Sequence, residues 1–183
     1  DANRAERKAT IAKLKADWAT ELTTMDHEED DPGTTWNERA RKADPEKITS
    51  RMAWRAILEA LPKDAIISSD IGNSCALGAA YPTFEEGRKY LAPGMFGPCG
   101  YGFPAICGAK IAKPDVPVVG FAGDGAFGIS MNEMAAVGRD EWPAITMIVF
   151  RNYHWGAEKR NSTLWYDDNF VGTELNRDVS YAA

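Results

Sequence analysis

Gly123-Asp124-Gly125 and Phe150-Arg151-Asn152-Tyr153-His154-Trp155-Gly156 decide the fold of this 183-residue chain. An apolar, β-branched run of the kind that forms a strand buried on both faces leads into each stretch, over residues 116–122 and 145–150. From Phe127 to residue 139 apolar side chains recur at helical spacing, and residues 140–143 are expected to end that helix. The pattern predicts a right-handed βαβ unit and hence an α/β fold, an open parallel sheet with helices on both faces.

Two oxygen-bearing side chains follow these strands. Asp124 and Asn152 stand at strand C-termini, which meet at one edge of a parallel sheet, where open α/β sheets bind ligands. Carboxylate and amide oxygens are the hard ligands that Mg²⁺ prefers, and backbone N–H groups at a helix start bind phosphate. An Asp-Gly pair alone is also a common hairpin turn. The flanking strand, the helix and the second turn favour a site for a Mg²⁺-bound diphosphate.

Gly123-Asp124-Gly125 through Asn152 resembles the signature of thiamine-diphosphate enzymes, in their diphosphate-binding domain. The resemblance implies that Asp124, Asn152 and the backbone carbonyl of His154 hold Mg²⁺. The family usually has two consecutive Asn residues in the second turn, whereas here Arg151 precedes Asn152. The resemblance also implies further contacts with thiamine diphosphate, from Gly125, Ala126, Trp155 and Gly156.

Two more segments are similar to loops of this family. Ser69-Asp70-Ile71-Gly72-Asn73-Ser74 follows an apolar strand at residues 65–67 and resembles the first diphosphate loop. Residues 97–105 resemble the Gly-rich loop that meets the aminopyrimidine ring. The resemblance implies that the Gly97 carbonyl accepts from the 4′-amino group and that Cys99 wedges the cofactor into its bent shape, although the family usually has a larger Met, Leu or Ile there. The cofactor contacts implied in the first loop are Ile71, Gly72, Asn73 and Ser74.

Longer stretches narrow the resemblance to the sulfoacetaldehyde acetyltransferase family, which belongs to the acetolactate synthase-like group. They are residues 31–41, 81–90 and 152–175, and the likeness runs from about Trp18 to the end. It implies an acyltransferase of sulfonate metabolism (taurine degradation) that turns sulfoacetaldehyde and phosphate into acetyl phosphate and sulfite. Two alternatives stay open: an acetolactate synthase-like enzyme acting on 2-keto acids, and a non-catalytic module that keeps the fold.

Both substrates of that reaction are anions, whereas the chain carries a net charge of −6. Attraction must therefore be local. Lys159 and Arg160, just after the second turn, are candidates to meet sulfonate or phosphate. Alternatively, they are solvated surface charges or pair with Glu158 and Asp167.

The first part of the chain differs in pattern from the rest. We interpret residues 1–47 as a helix and acidic linker from a preceding domain, and residues 48–183 as a truncated thiamine-diphosphate- and Mg²⁺-binding domain. Family enzymes are longer, and their aminopyrimidine-binding domain supplies the Glu that activates the cofactor. No segment here resembles that domain, so no catalytic residue is assigned and the chain alone is expected to be inactive. The resemblance implies a homodimer or homotetramer, with the aminopyrimidine domain contributed by another subunit.

Composition excludes several other classes of protein. There is no apolar run of membrane-spanning length and no signal-like start, so neither a membrane partner nor secretion is indicated. A pI near 5.0 argues against a nucleic-acid partner. The three cysteines lack metal-ligand spacing and are expected to be reduced thiols in a cytoplasmic protein. A Rossmann dinucleotide site is not indicated, because no G-x-G-x-x-G opens a helix.

Overall fold

The computed structural model describes residues 2–25, 50–84 and 89–181. The chain divides into two compact units, Asp1–Ile57 and Leu58–Ala183. The first unit contains helix α1, Ala2–Met25, which matches the helix predicted within residues 1–47. Most of the predicted acidic linker, the resembling segment at residues 31–41 and the proposed boundary at residue 47 lie outside the described residues, as do residues 85–88.

The second unit is an α/β fold in which short helices alternate with parallel strands. Helix α2, Ser50–Ala60, crosses the division between the two units and ends just before the sheet begins. The remaining elements in chain order are β1 Ile66–Ser69, α3 Asn73–Ala80, β2 Tyr90–Leu91, α4 Gly102–Ala112, β3 Val118–Gly123, α5 Asp124–Ser130, a 3₁₀ turn Met131–Glu133, α6 Met134–Val137, β4 Thr146–Phe150 and α7 Gly156–Trp165.

All four strands pair in parallel, in the order β2-β1-β3-β4. Strand β3 is central, and Val118 to Ala122 are buried, as expected of a strand covered on both faces. Phe103 and Ile106 of α4 and Phe127 of α5 pack into the same apolar core. The parallel α/β sheet predicted from the sequence is confirmed.

The helix between β3 and β4 differs from the prediction. It begins at Asp124 rather than Phe127, passes through the 3₁₀ turn, and ends at Val137 rather than at residues 140–143. Gly138 allows the early end, because a Cβ there would lie 2.9 Å from the Met134 carbonyl oxygen. Ile129 and Met134, which gave the segment its helical periodicity, are 54% and 48% exposed. Periodicity identified a helix here, but it did not distinguish the exposed apolar side chains from Phe127 and Val137, which do pack in or against the core.

None of the helices in the described ranges combines the length and the apolar character that crossing a membrane requires.

Candidate functional site

The strand order changes direction between β1 and β3. From β1 the chain runs through α3 to β2 on one side, and then through α4 to β3 on the other. Such a switch point leaves a crevice at the carboxyl edge of a parallel sheet. The segments that follow β1, β3 and β4 all lie at this edge, and they contain most of the residues singled out in the sequence.

Asp124 is the first residue of α5 and is only 3% exposed. Its Oδ1 accepts a hydrogen bond from the backbone N–H of Gly125 at 3.1 Å. Its Oδ2 accepts from the backbone N–H of Tyr153 at 2.7 Å. An ionised carboxylate has about four lone-pair sites. Asp124 is therefore fixed in place by the second turn while still having acceptor capacity for a ligand.

The turn after β4 is held in an unusual backbone conformation. Tyr153 has a φ of +65°, the left-handed region that side chains rarely adopt. This conformation directs the Tyr153 N–H at Asp124, and the His154 N–H donates to Asn152 Oδ1 at 3.1 Å. The turn is anchored from outside, because Trp155 N donates to the Thr173 carbonyl and Leu175 N donates to the Tyr153 carbonyl, each at 2.8 Å.

Two glycines allow the turns to pack closely. A Cβ on Gly125 would lie 2.8 Å from ring carbons of Trp155. A Cβ on Gly156 would lie 2.8 Å from Asn152 Nδ2 and 3.3 Å from Asn73 Nδ2. Gly156 thus lies between an amide from the loop after β1 and an amide from the turn after β4. The sequence-predicted residues of these two segments are brought together here.

The loop after β1 contains the second buried carboxylate of this edge. Gly72 takes a φ of +104° at the start of α3, and Ser74 in the first turn is buried. The position a Cβ would take on Gly123 is 3.9 Å from Ser74 Oγ, so this helix start faces the end of β3. Asp70, fully buried, accepts from the backbone N–H groups of Ile71, Gly100 and Gly102. Asp70 was not among the site residues predicted from the sequence.

The Gly-rich segment contacts this first loop. Gly97 has a φ of +63°, and a Cβ there would lie 3.3 Å from Ile71 Cδ1. Cys99 is exposed. Protein atoms on one side of the Cys99 thiol still remove part of its hydration and raise its pKa, and the negative charges of Asp70 and Glu158 raise it further. Cys99 is therefore a thiol within electrostatic range of the loop after β1 and of helix α7.

The donor chemistry at this edge fits a small hard cation. The described residues contain no group of three or more His, Cys, Asp or Glu side chains able to hold a metal ion. Asp124, Asn152 and the His154 carbonyl would instead supply one carboxylate, one amide and one carbonyl oxygen, which are ligand types suited to Mg²⁺. Within the ranges that the structure covers, no backbone N–H donates to the His154 carbonyl. These three oxygens are thus compatible with the ligand set expected from the sequence.

The two cations after the turn are in different environments. Lys159 Nζ lies 2.5 Å from Glu174 Oε1 and 4.9 Å from the centroid of the Phe170 ring. The hydrogen bond from Lys159 lowers the pKa of the Glu174 carboxyl, and nearby positive charges lower it further. The Lys159 partner is therefore Glu174, not Glu158 or Asp167. Arg160 is exposed and forms no ion pair with any other described residue.

The sequence of this chain is similar to those of known enzymes. A sulfoacetaldehyde acetyltransferase of Roseovarius nubinhibens is 75% identical over 182 residues, which is 100% of this chain and 30% of that protein. The chloroplastic acetolactate synthase 1 of Zea mays is 31% identical over 134 residues, 73% of this chain and 21% of that protein. The chain thus spans less than a third of the length of these relatives.

Proteins of known structure also share this fold. A thiamine diphosphate-dependent 4-hydroxybenzoylformate decarboxylase of Rhodococcus jostii RHA1 superposes with a TM-score of 0.61 at 22% identity, over 68% of this chain and 23% of that chain. The model of the thiamine pyrophosphate enzyme C-terminal TPP binding domain matches residues 70–183, which include every turn described above. The chain therefore belongs to the thiamine pyrophosphate enzymes, and its residues 70–183 are their C-terminal TPP binding domain.

Proposed function

We propose that this chain is the diphosphate- and Mg²⁺-binding part of a sulfoacetaldehyde acetyltransferase, which converts sulfoacetaldehyde and phosphate into acetyl phosphate and sulfite. The observation that carries the proposal is the 75% identity over the whole chain to an enzyme of that name. Identity to an acetolactate synthase is 31% over a shorter stretch, which disfavours a 2-keto acid as substrate.

The chain's own residues would bind and orient the cofactor. Asp124, Asn152 and the His154 carbonyl are the proposed ligands of Mg²⁺, and the N–H groups at the start of α3 would hold the diphosphate. Gly97 and Cys99 are the proposed contacts of the aminopyrimidine side. When bound, thiamine diphosphate supplies a carbanion that adds to an aldehyde carbon, while the protein supplies position and electrostatics.

Substrate anions need a local positive charge. Arg160 is the better candidate of the two predicted cations, because it is exposed and has no described ionic partner, whereas Lys159 is paired with Glu174. A guanidinium presents a fork of donors that matches sulfonate or phosphate oxygens. Arg160 as the residue that meets one of these anions is therefore part of the proposal.

The rest of the enzyme would come from segments that the curated relatives contain and this chain does not match. We infer that an aminopyrimidine-binding domain of another subunit closes the crevice and supplies the activating Glu, so that the working protein is a homodimer or homotetramer. Met95 and Phe96, immediately before Gly97, are almost fully exposed, as expected of side chains awaiting a partner surface. The division of the chain near residue 48 belongs to the same proposal.

Calorimetric titration of thiamine diphosphate with Mg²⁺ into the full-length protein tests the site. We expect Asp124→Ala to abolish saturable binding, because it removes the one charged ligand. The matched control is Asp115→Ala, an exposed carboxylate in the turn before β3, at the opposite edge of the sheet, and it should bind as the wild type does.

A sulfite-release assay on the same proteins tests the substrate. The wild type and Asp115→Ala should release sulfite from sulfoacetaldehyde only when phosphate is present, and Asp124→Ala should release none. Equal cofactor binding by Asp124→Ala and wild type would refute the metal site. Turnover of a 2-keto acid such as pyruvate, without sulfite release from sulfoacetaldehyde, would refute the substrate assignment.

A further inference from the structure

Asp70 is the most deeply buried carboxylate of the described chain, with no exposed surface. It follows the last residue of β1, and its own N–H donates to the Phe121 carbonyl of β3 at 2.7 Å. A buried carboxylate is costly unless hydrogen bonds compensate the lost hydration. The donors that hydrogen-bond to the Asp70 carboxylate therefore indicate its role in the structure.

Three backbone N–H groups from two separate loops donate to Asp70. Oδ1 accepts from Ile71 at 2.8 Å and from Gly100 at 3.0 Å, and Oδ2 accepts from Gly102 at 2.7 Å. Gly102 is the first residue of the 11-residue helix α4, where a negative charge is favourable. A single side chain therefore ties the loop after β1 to the Gly-rich loop some 30 residues further along the chain.

The packing around Asp70 is also tight. A Cβ on Gly102 would lie 3.1 Å from both Cβ and Oδ2 of Asp70. Three of about four lone-pair sites on the carboxylate are used, against two on Asp124. Asp70 thus has one more internal donor than Asp124 and is fully buried, whereas Asp124 retains more acceptor capacity for a ligand.

We propose that Asp70 is a positioning residue that fixes residues 97–101 of the Gly-rich loop against residues 71–74 of the diphosphate loop. It touches neither cofactor nor substrate; it sets the distance between the part of the site that takes the diphosphate and the part that takes the aminopyrimidine ring. The proposal rests on the proposed thiamine-diphosphate site. Its consequence is that loss of the Asp70 carboxylate weakens binding of a ligand that spans both loops more than binding of a ligand that reaches only one.

Two probes of different length distinguish positioning from general stability. Thiamine diphosphate with Mg²⁺ spans both loops, whereas inorganic pyrophosphate with Mg²⁺ reaches only the diphosphate loop. For Asp70→Asn in the full-length protein, calorimetry should give at least a tenfold rise in the Kd for thiamine diphosphate. The rise is expected because the amide that replaces the carboxylate cannot accept from all three N–H groups. The Kd for pyrophosphate should change less than threefold, because the diphosphate loop stays attached to β1.

Gly102→Ala provides an independent test of the same contact, and it applies if Asp70→Asn does not fold. Its added methyl group displaces the carboxylate without removing it, so the same selective loss is expected. Equal changes in both Kd values, or no change in either, would overturn the positioning role. A wild-type protein that binds pyrophosphate but not thiamine diphosphate would instead overturn the proposed function.

Discussion

At Gly125 the lack of a side chain allows Trp155 to lie against the start of α5. An added Cβ would approach the indole ring to 2.8 Å, so the ring and the turn that carries Asn152 would have to move. Overpacking of this kind costs about 1–3 kcal/mol. We therefore expect Gly125→Ala to raise the Kd of thiamine diphosphate with Mg²⁺ by roughly tenfold or more, measured by calorimetry on the full-length protein.

Gly128 in the same helix is the matched control. It is exposed, and a Cβ there would lie 3.7 Å from the Tyr181 hydroxyl, an ordinary contact. Gly128→Ala should leave the Kd unchanged and stabilise the protein by up to about 1 kcal/mol through helix propensity. Similar Kd values for both variants would show that the contact between Gly125 and Trp155 does not affect cofactor binding by the turn after β4.

The residues proposed to bind through side chains could be predicted from the sequence more readily than those that act through the backbone. Asp124 and Asn152 could be predicted, because their oxygens and their places after apolar runs carry the signal. The role of the Tyr153 N–H could not be predicted, since its direction depends on a positive φ that the residue types in this turn do not indicate. Asp70 had a weaker signal, a carboxylate directly after a buried strand, but its partners Gly100 and Gly102 are distant in the chain.

At the scale of elements, strands were predicted better than the crossover between them. The runs at residues 116–122 and 145–150 became β3 and β4 with shifts of one or two residues, since both carry a continuous apolar signal. Burial on both faces was predicted for both strands and is confirmed for β3, but it is wrong for β4, an edge strand whose residues are only partly buried or exposed. The crossover between them was predicted as one helix and is three short pieces. Helical periodicity reflects the spacing of apolar side chains, and it does not show whether other parts of the protein cover them.

Arg151 links the turn after β4 to the segment at residues 177–181. Its guanidinium lies 4.5 Å from the centroid of the Tyr153 ring and 5.8 Å from that of Tyr181. It also donates to the carbonyls of Arg177, at 2.9 Å, and of Val179. Arg151, which stands where the family usually has Asn, thus connects the proposed metal turn to a segment that also reaches Asp124 through the Tyr181 hydroxyl.

Removal of the Arg151 guanidinium should increase local opening both in the turn after β4 and in residues 177–181. Exposed cation–π contacts are worth about 0.5–1 kcal/mol. For Arg151→Met we expect about fivefold faster amide exchange at Tyr153 and at Asp178, one amide from each part, by hydrogen-exchange mass spectrometry. Arg139→Met, which loses only an exposed pair with Glu141, should leave these amides unchanged. Unchanged exchange in Arg151→Met would mean that the two parts are held independently.

At the scale of the whole molecule, apolar side chains remain exposed along one side of the crevice. Ile129 is 54% exposed and lies next to Gly100, since its Cγ2 would be 2.9 Å from a Cβ there. Met131 and Met134, which follow it in the chain, are 38% and 48% exposed. Exposed apolar groups beside a binding crevice fit the proposal that another subunit completes the site.

A charge placed on this surface should therefore act on assembly rather than on folding. Ile129→Asp would bury an unpaired carboxylate in the proposed contact, which costs several kcal/mol. We expect the full-length protein to dissociate towards monomers in sedimentation velocity and to lose thiamine diphosphate at the same time. Ile111→Asp is the matched control, because Ile111 is 67% exposed near the end of α4, at the opposite edge of the sheet. If both variants sediment like the wild type, the surface around Ile129 does not contribute to the association of subunits.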